Sequence, residues 1–95
     1  MFTRAQIGKS NGIDTTVRAG IPYVSPTWKW VLGHKNGSVT SEEYKEWYVN
    51  RLDEHREEVL EWVSKLKPDD IFLCYCRDGD FCHTYLLIEW LEIED

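Results

Sequence analysis

No stretch of the 95 residues is apolar for more than six positions. The longest run, Ile71 to Cys76, falls far short of the roughly 20 residues a membrane helix needs, so no membrane partner is expected. No basic-then-apolar leader opens the chain, which sets a secretory route aside. Cysteine is scarce: three residues, odd in number and bunched at 74, 76 and 82. A disulfide framework needs pairs spread along the chain, so a reducing, cytoplasmic setting is expected. Repeats, low-complexity tracts and linkers are absent, and the length allows one domain, 1–95. Bases are nearly missing from the last third, where eight acids face Arg77 alone, a local charge of −7. Residues 40–67 carry −3, with eight acids and five bases. Only residues 1–39 are basic: Arg4, Lys9, Arg18, Lys29 and Lys35 against Asp14, or +4 within a net charge of −6. An acidic body repels phosphate backbone, so duplex DNA is disfavoured as a partner. The basic third can still form a local anion site.

What is present is ordered punctuation. Residues 2–7 and the β-branched residues 13–18 read as strands, separated by the glycine-rich turn 8–12. Ser25-Pro26 reads as a helix start, serine as N-cap and proline first in the helix, with a stop at Asn36-Gly37. On that helix the spacing turns Trp28 inward, with Val31 or Leu32, and leaves Trp30 exposed. Thr40 and Glu43 form a capping box for a second helix, with Val39 as a staple onto Tyr44. The apolar stripes Tyr44, Trp47, Tyr48, Leu52 and Val59, Leu60, Trp62, Val63, Leu66 are read as two helices broken near Asp53. Ile71 to Cys76 reads as a central, doubly covered strand. A tight loop, 77–80, leads into a last helix from Phe81 to about Glu92. The fold expected is α/β, a small, mostly parallel sheet of about three strands flanked by helices.

Ligands of open α/β sheets bind beyond the carboxyl ends of the strands, where Cys76 to His83 lie. Cys74 and Cys76, two apart, face one side of the strand. Cys82 and His83 start a helix, where free N–H groups attract anions and lower a thiol's pKa. A phosphatase-type loop needs an arginine six residues after its cysteine, and counted from Cys76 that position holds Cys82. A zinc site from Cys74, Cys76, Cys82 and His83 lacks the common paired spacing, and adjacent Cys82-His83 is awkward for one tetrahedron. No metal and no cofactor are therefore assigned. Gly8-Lys9-Ser10 lacks the upstream glycine of a phosphate-binding loop, because Thr3 stands there, and reads as a turn. The preferred reading is an anion or nucleotide pocket lined by Arg77, Asp80, Cys82 and His83. Cys74 is assigned to the core, and Cys76 is left open between core and site. Trp28 and Trp30, among Arg18, Lys29 and Tyr23, are candidates for stacking a base.

The block from Leu73 to His83 (Leu-Cys-Tyr-Cys-Arg-Asp-Gly-Asp-Phe-Cys-His), followed by Leu86-Leu87 and Glu89-Trp90-Leu91, resembles the family called domain of unknown function 488. Arg18 to Pro22, Ser25-Pro-Thr-Trp28 and Ser41-Glu-Glu-Tyr44 are similar to its upstream segments. The resemblance covers about residues 13–93. It implies an α/β fold and a site made from Arg18, Trp28, Cys82 and His83, and it suggests a phage origin. Two departures stand out: Thr84 occupies the position where the family continues with arginine, and the chain stops before the family's usual last strand.

The function expected is binding of a phosphorylated, nucleotide-like small molecule, for a phage a means of sequestering a host signalling nucleotide and so of counter-defence. One alternative is an enzyme on nucleotides or nucleic acid, with Cys82 as nucleophile and His83 as acid or base. The other is an inhibitor acting through the acidic helical face between Glu42 and Glu61. Homo-oligomer formation is left open.

Overall fold

The computed structural model describes residues 2–9, 11–67, 69–76 and 79–94, with the backbone alone at 94. Three strands, β1 (Thr3–Gln6), β2 (Ile13–Asp14) and β3 (Ile71–Cys74), form a parallel sheet in the order β1-β3-β2. Thr3 pairs with Ile71, and Ile13 with Phe72. The apolar run is thus the central strand, as its composition requires. Four α-helices accompany the sheet among the described residues: α1 (Trp28–Asn36), α2 (Ser41–Glu54), α3 (Arg56–Ser64) and α4 (His83–Glu94). This is the α/β class expected.

Two short, extended segments flank one strand, so the chain must return from the end of β1 to the start of β2 within a few residues. Gly12 makes this path open. A side chain there would run into the carbonyl of Ile71. β2 is much shorter than the 13–18 expected. The Asp14 carboxylate accepts the Thr16 N–H at 2.9 Å, closing a local turn, and a 3-10 turn at Val17–Ala19 follows. Local side-chain bonding therefore ends the strand despite its β-branched composition.

The core is built from α2, α3, α4 and β3. Tyr48, Leu52, Val59, Phe72, Leu86, Leu87, Trp90 and Leu91 are all buried. Phe72 stacks on Phe2, at 5.0 Å between ring centroids, and on Trp62, at 5.9 Å. Thr40 and Glu43 complete both bonds of the capping box at the start of α2. The break between α2 and α3 falls at His55, two residues from the expected one. There Asp53 accepts the Trp90 indole N–H at 2.8 Å, and His55 stacks on Tyr23 at 3.7 Å. The break lets both groups reach partners that a continuous helix would turn away.

The first helix departs from expectation. It starts at Trp28 after the N-cap Thr27, two residues beyond the Pro26 start. Its buried residue is Gly33, pressed against Val39, where a Cβ would come within 2.7 Å of the valine methyl. That close approach decides which face turns inward. Trp30 lies three residues from Gly33 on the same face, is half-buried and stacks on Trp47 at 4.7 Å. Trp28 and Leu32 are exposed, at 54% and 50%. The assignments of Trp28 to the core and Trp30 to the exterior are therefore reversed.

Candidate functional site

The ends of β1 and β3, the turn after β2 and the face of α1 surround one cavity of about 660 Å3. It opens beyond the carboxyl ends of the parallel strands, where such sheets take ligands, and its size is that of a small-molecule site. Trp28 and Tyr75, both more than half exposed, stand at its walls with Phe81 and Tyr44. His34 stacks on Phe81 at 4.6 Å and meets Tyr44 edge-on, so this aromatic wall is braced. Arg18 and Lys35, both exposed, add two cationic side chains. Asp80 also lines the cavity. Thr16 lies on it as well, 4% exposed, and its hydroxyl is the buried side-chain polar atom left without a hydrogen-bond partner among the described residues.

The floor is sulfur. Cys74 ends β3, and the chain bends directly after it. The bend keeps the Cys76 thiol near that of Cys74, and Cys82 meets them from the start of α4. The three Sγ atoms all lie within 4.8 Å of one another, with Cys74 and Cys82 at 2.8 Å. Cys74 is a core residue, as expected, and also a member of the site, part of a thiol cluster on a cavity. Sequence reasoning took its apolar strand as evidence of plain packing.

Arg4 on β1 reaches this cluster. Its guanidinium Nη2 donates to Cys74 Sγ and to the Cys76 carbonyl, both at 2.7 Å. Its Nε donates to Thr84 Oγ1 at 3.2 Å, and the Thr84 hydroxyl donates to Cys82 Sγ at 3.2 Å. The guanidinium also lies 5.1 Å from the Tyr85 ring centroid. Thr84 thus links Arg4 to Cys82. Sequence reasoning missed Arg4. The signal for it was a charged residue inside a short strand of a sheet whose ends carry a site.

Charge settles unevenly among the thiols. Hydrogen bonds from the Cys76 and Cys82 thiols, and then from Arg4, hold Cys74 far below the ordinary cysteine range despite its burial. Donation to Cys74 pushes both Cys76 and Cys82 up. Of the three, Cys74 is therefore the thiol most disposed to ionise, while Cys76 and Cys82 are held in the protonated form.

His83 bridges Thr15 and the Cys82 sulfur. Its Nε2 lies 2.9 Å from the Thr15 carbonyl and 3.0 Å from Thr15 Oγ1. The Thr15 hydroxyl hydrogen is committed to the Leu73 carbonyl, at 2.9 Å. Both Thr15 atoms are then acceptors, so Nε2 carries the proton and Nδ1 is bare. Nδ1 faces Cys82 Sγ at 3.7 Å. Burial pushes the His83 pKa down to about 4, so the ring is neutral at pH 7.

Of the residues singled out in the sequence, Arg18, Trp28, Cys76, Asp80, Cys82 and His83 line this one cavity, and Trp30 lies elsewhere, against Trp47. Arg77 lies outside the described residues. No protein-family model, curated protein or solved structure matches the chain.

Proposed function

We propose that this domain binds a phosphorylated, nucleotide-like small molecule in the cavity beyond β1 and β3. The observation that carries the reading is the Thr16 hydroxyl, buried and unpartnered on the wall of a cavity that also bears Arg18, Lys35 and the exposed Trp28. A buried hydroxyl without a partner costs about 1–3 kcal/mol, which a ligand oxygen recovers. Exposed aromatic rings supply stacking, worth about 1–3 kcal/mol per base, and the cations answer phosphate. For a phage-encoded chain, that binding means sequestration of a host signalling nucleotide.

A thermal-shift panel of nucleotides and their unphosphorylated nucleosides tests this. Free ligand at 100 times its Kd adds about 2.7 kcal/mol, a rise of roughly 10–20 °C for a domain this small. Nucleosides should shift Tm less, and Trp28→Ala should reduce the nucleotide shift. A flat response across the panel would dismiss the reading.

One observation favours a second reading, thiol chemistry at the floor: Cys82 Sγ faces the bare Nδ1 of His83 at the cavity. It needs Cys82 to yield its proton, yet the hydrogen bond with Cys74 and burial push the Cys82 thiol up. Alkylation of Cys82 at pH 7 is expected to be no faster than that of free cysteine. Markedly faster labelling would restore the enzyme.

A further inference from the structure

The thiol cluster holds one sulfur more than a disulfide uses. Cys74 and Cys82 lie 2.8 Å apart at sulfur, and the bend after β3 brings Cys76 to the same point. Three sulfurs within 4.8 Å surround a space suited to one soft cation. Zinc bonds thiolate at about 2.3 Å, and two such bonds at a tetrahedral angle set the sulfurs about 3.8 Å apart. Closing that geometry requires Cys74 and Cys82 to separate by only about 1 Å from their thiol contact, within reach of small χ1 changes.

We propose that Cys74, Cys76 and Cys82 form a site for one thiophilic divalent cation of the zinc class, with its fourth position facing the cavity. Charge supports a metal over a disulfide. Three thiolates and a divalent cation leave one negative charge, and Arg4, already donating to Cys74 at 2.7 Å, cancels it. A disulfide is neutral and offers that guanidinium no anionic sulfur. The surroundings agree. Thr84 donates to Cys82 and accepts from Arg4, the kind of outer contact that orients a ligating side chain. His83 is left out of the ligand set because, among the described residues, only the ligand atoms of Cys74, Cys76 and Cys82 come together within 4.8 Å. The three sulfurs all line the cavity, so the open position is accessible from it. The inference is independent of the nucleotide reading and needs no organic ligand.

The test uses the full chain, reduced and stripped with a chelator, titrated with cobalt(II) and then zinc(II). The expected result is one cobalt per chain, with the near-ultraviolet charge-transfer absorption of bound thiolates, displaced by one zinc. Cys76→Ser should lower that absorption by about a third, since one of three thiolates is lost, and should weaken zinc by more than the 10–100-fold that loss of an outer contact costs. Cys76 is only half-buried, so its replacement disturbs packing least of the three. No thiolate absorption in the wild-type chain would overturn the proposal without reference to any variant. So would equal absorption and affinity in wild type and Cys76→Ser, which would mean that two thiols and not three bind.

Discussion

Metal-free protein is expected to lose about 3 kcal/mol of stability as the pH falls from 6.5 to 4, with His83 as the main cause. The ring is 5% accessible, and burial lowers its pKa from 6.5 to about 4. Several groups face it. The Cys74 thiolate, the Thr15 carbonyl and Asp14 favour the charged ring, while Arg4 joins burial in opposing it. The Tyr48 ring meets it edge-on at 5.8 Å. Burial wins. In the unfolded chain the imidazole takes a proton below pH 6.5, but in the folded chain it does so only near pH 4. Within that window the unfolded state binds more protons, so stability rises with pH and falls as acid is added. Below about pH 4 both states are protonated and this contribution to the slope ends. Against the 5–10 kcal/mol expected of a domain this size, the loss is large. Urea unfolding at pH 7, 5.5 and 4.5 measures it. His83→Gln keeps a donor toward Thr15 but cannot titrate, so its profile should be flatter by that amount. Parallel profiles for the two proteins would show that His83 is not the group responsible.

Much of the frame was legible because it follows from local rules. The run Ile71 to Cys76 announced a central strand, and Thr40 with Glu43 announced the start of α2. The placement of Trp28 was not legible, because a glycine decides it. Hydropathy gives Gly33 no weight, yet its missing side chain lets α1 approach Val39 and carries Trp30, not Trp28, inward. The second strand failed for a similar reason: the side chain of Asp14 captures a backbone N–H that the β-branched sequence assigns to the sheet. In the site, the separation of helix neighbours by about 100° predicts that His83 falls short of the Cys82 sulfur, but Cys82 precedes α4 and His83 Nδ1 reaches its Sγ at 3.7 Å. What no local pattern holds is the pairing of Arg4 with Cys74, seventy residues downstream, since only the parallel register of β1 and β3 brings them together.

That pairing makes Arg4→Met the most informative single change. Methionine keeps much of the side chain's length and apolar contact but donates nothing. Three hydrogen bonds go, to Cys74 Sγ, the Cys76 carbonyl and Thr84 Oγ1. Bonds involving a charged group are worth about 1.5–3 kcal/mol each when fully buried. Arg4 is only half-buried, and water replaces part of what is lost, so the expected destabilisation is about 2–4 kcal/mol in total. Its direction at the thiols is separable from its effect on folding. Without the guanidinium, Cys74 keeps the hydrogen bonds from Cys76 and Cys82 but loses the cation, so its pKa should rise. In chelator-treated protein this appears as thiolate ultraviolet absorption that is present at neutral pH in the wild type and moves to higher pH in the variant. Arg4→Lys should restore part of the charge without the forked geometry, and fall between the two. A destabilised variant whose thiolate absorption is unchanged would mean that Arg4 acts only as a strap between β1 and the loop after β3. Equal stability and equal absorption would mean that the two thiols alone hold the charge on Cys74.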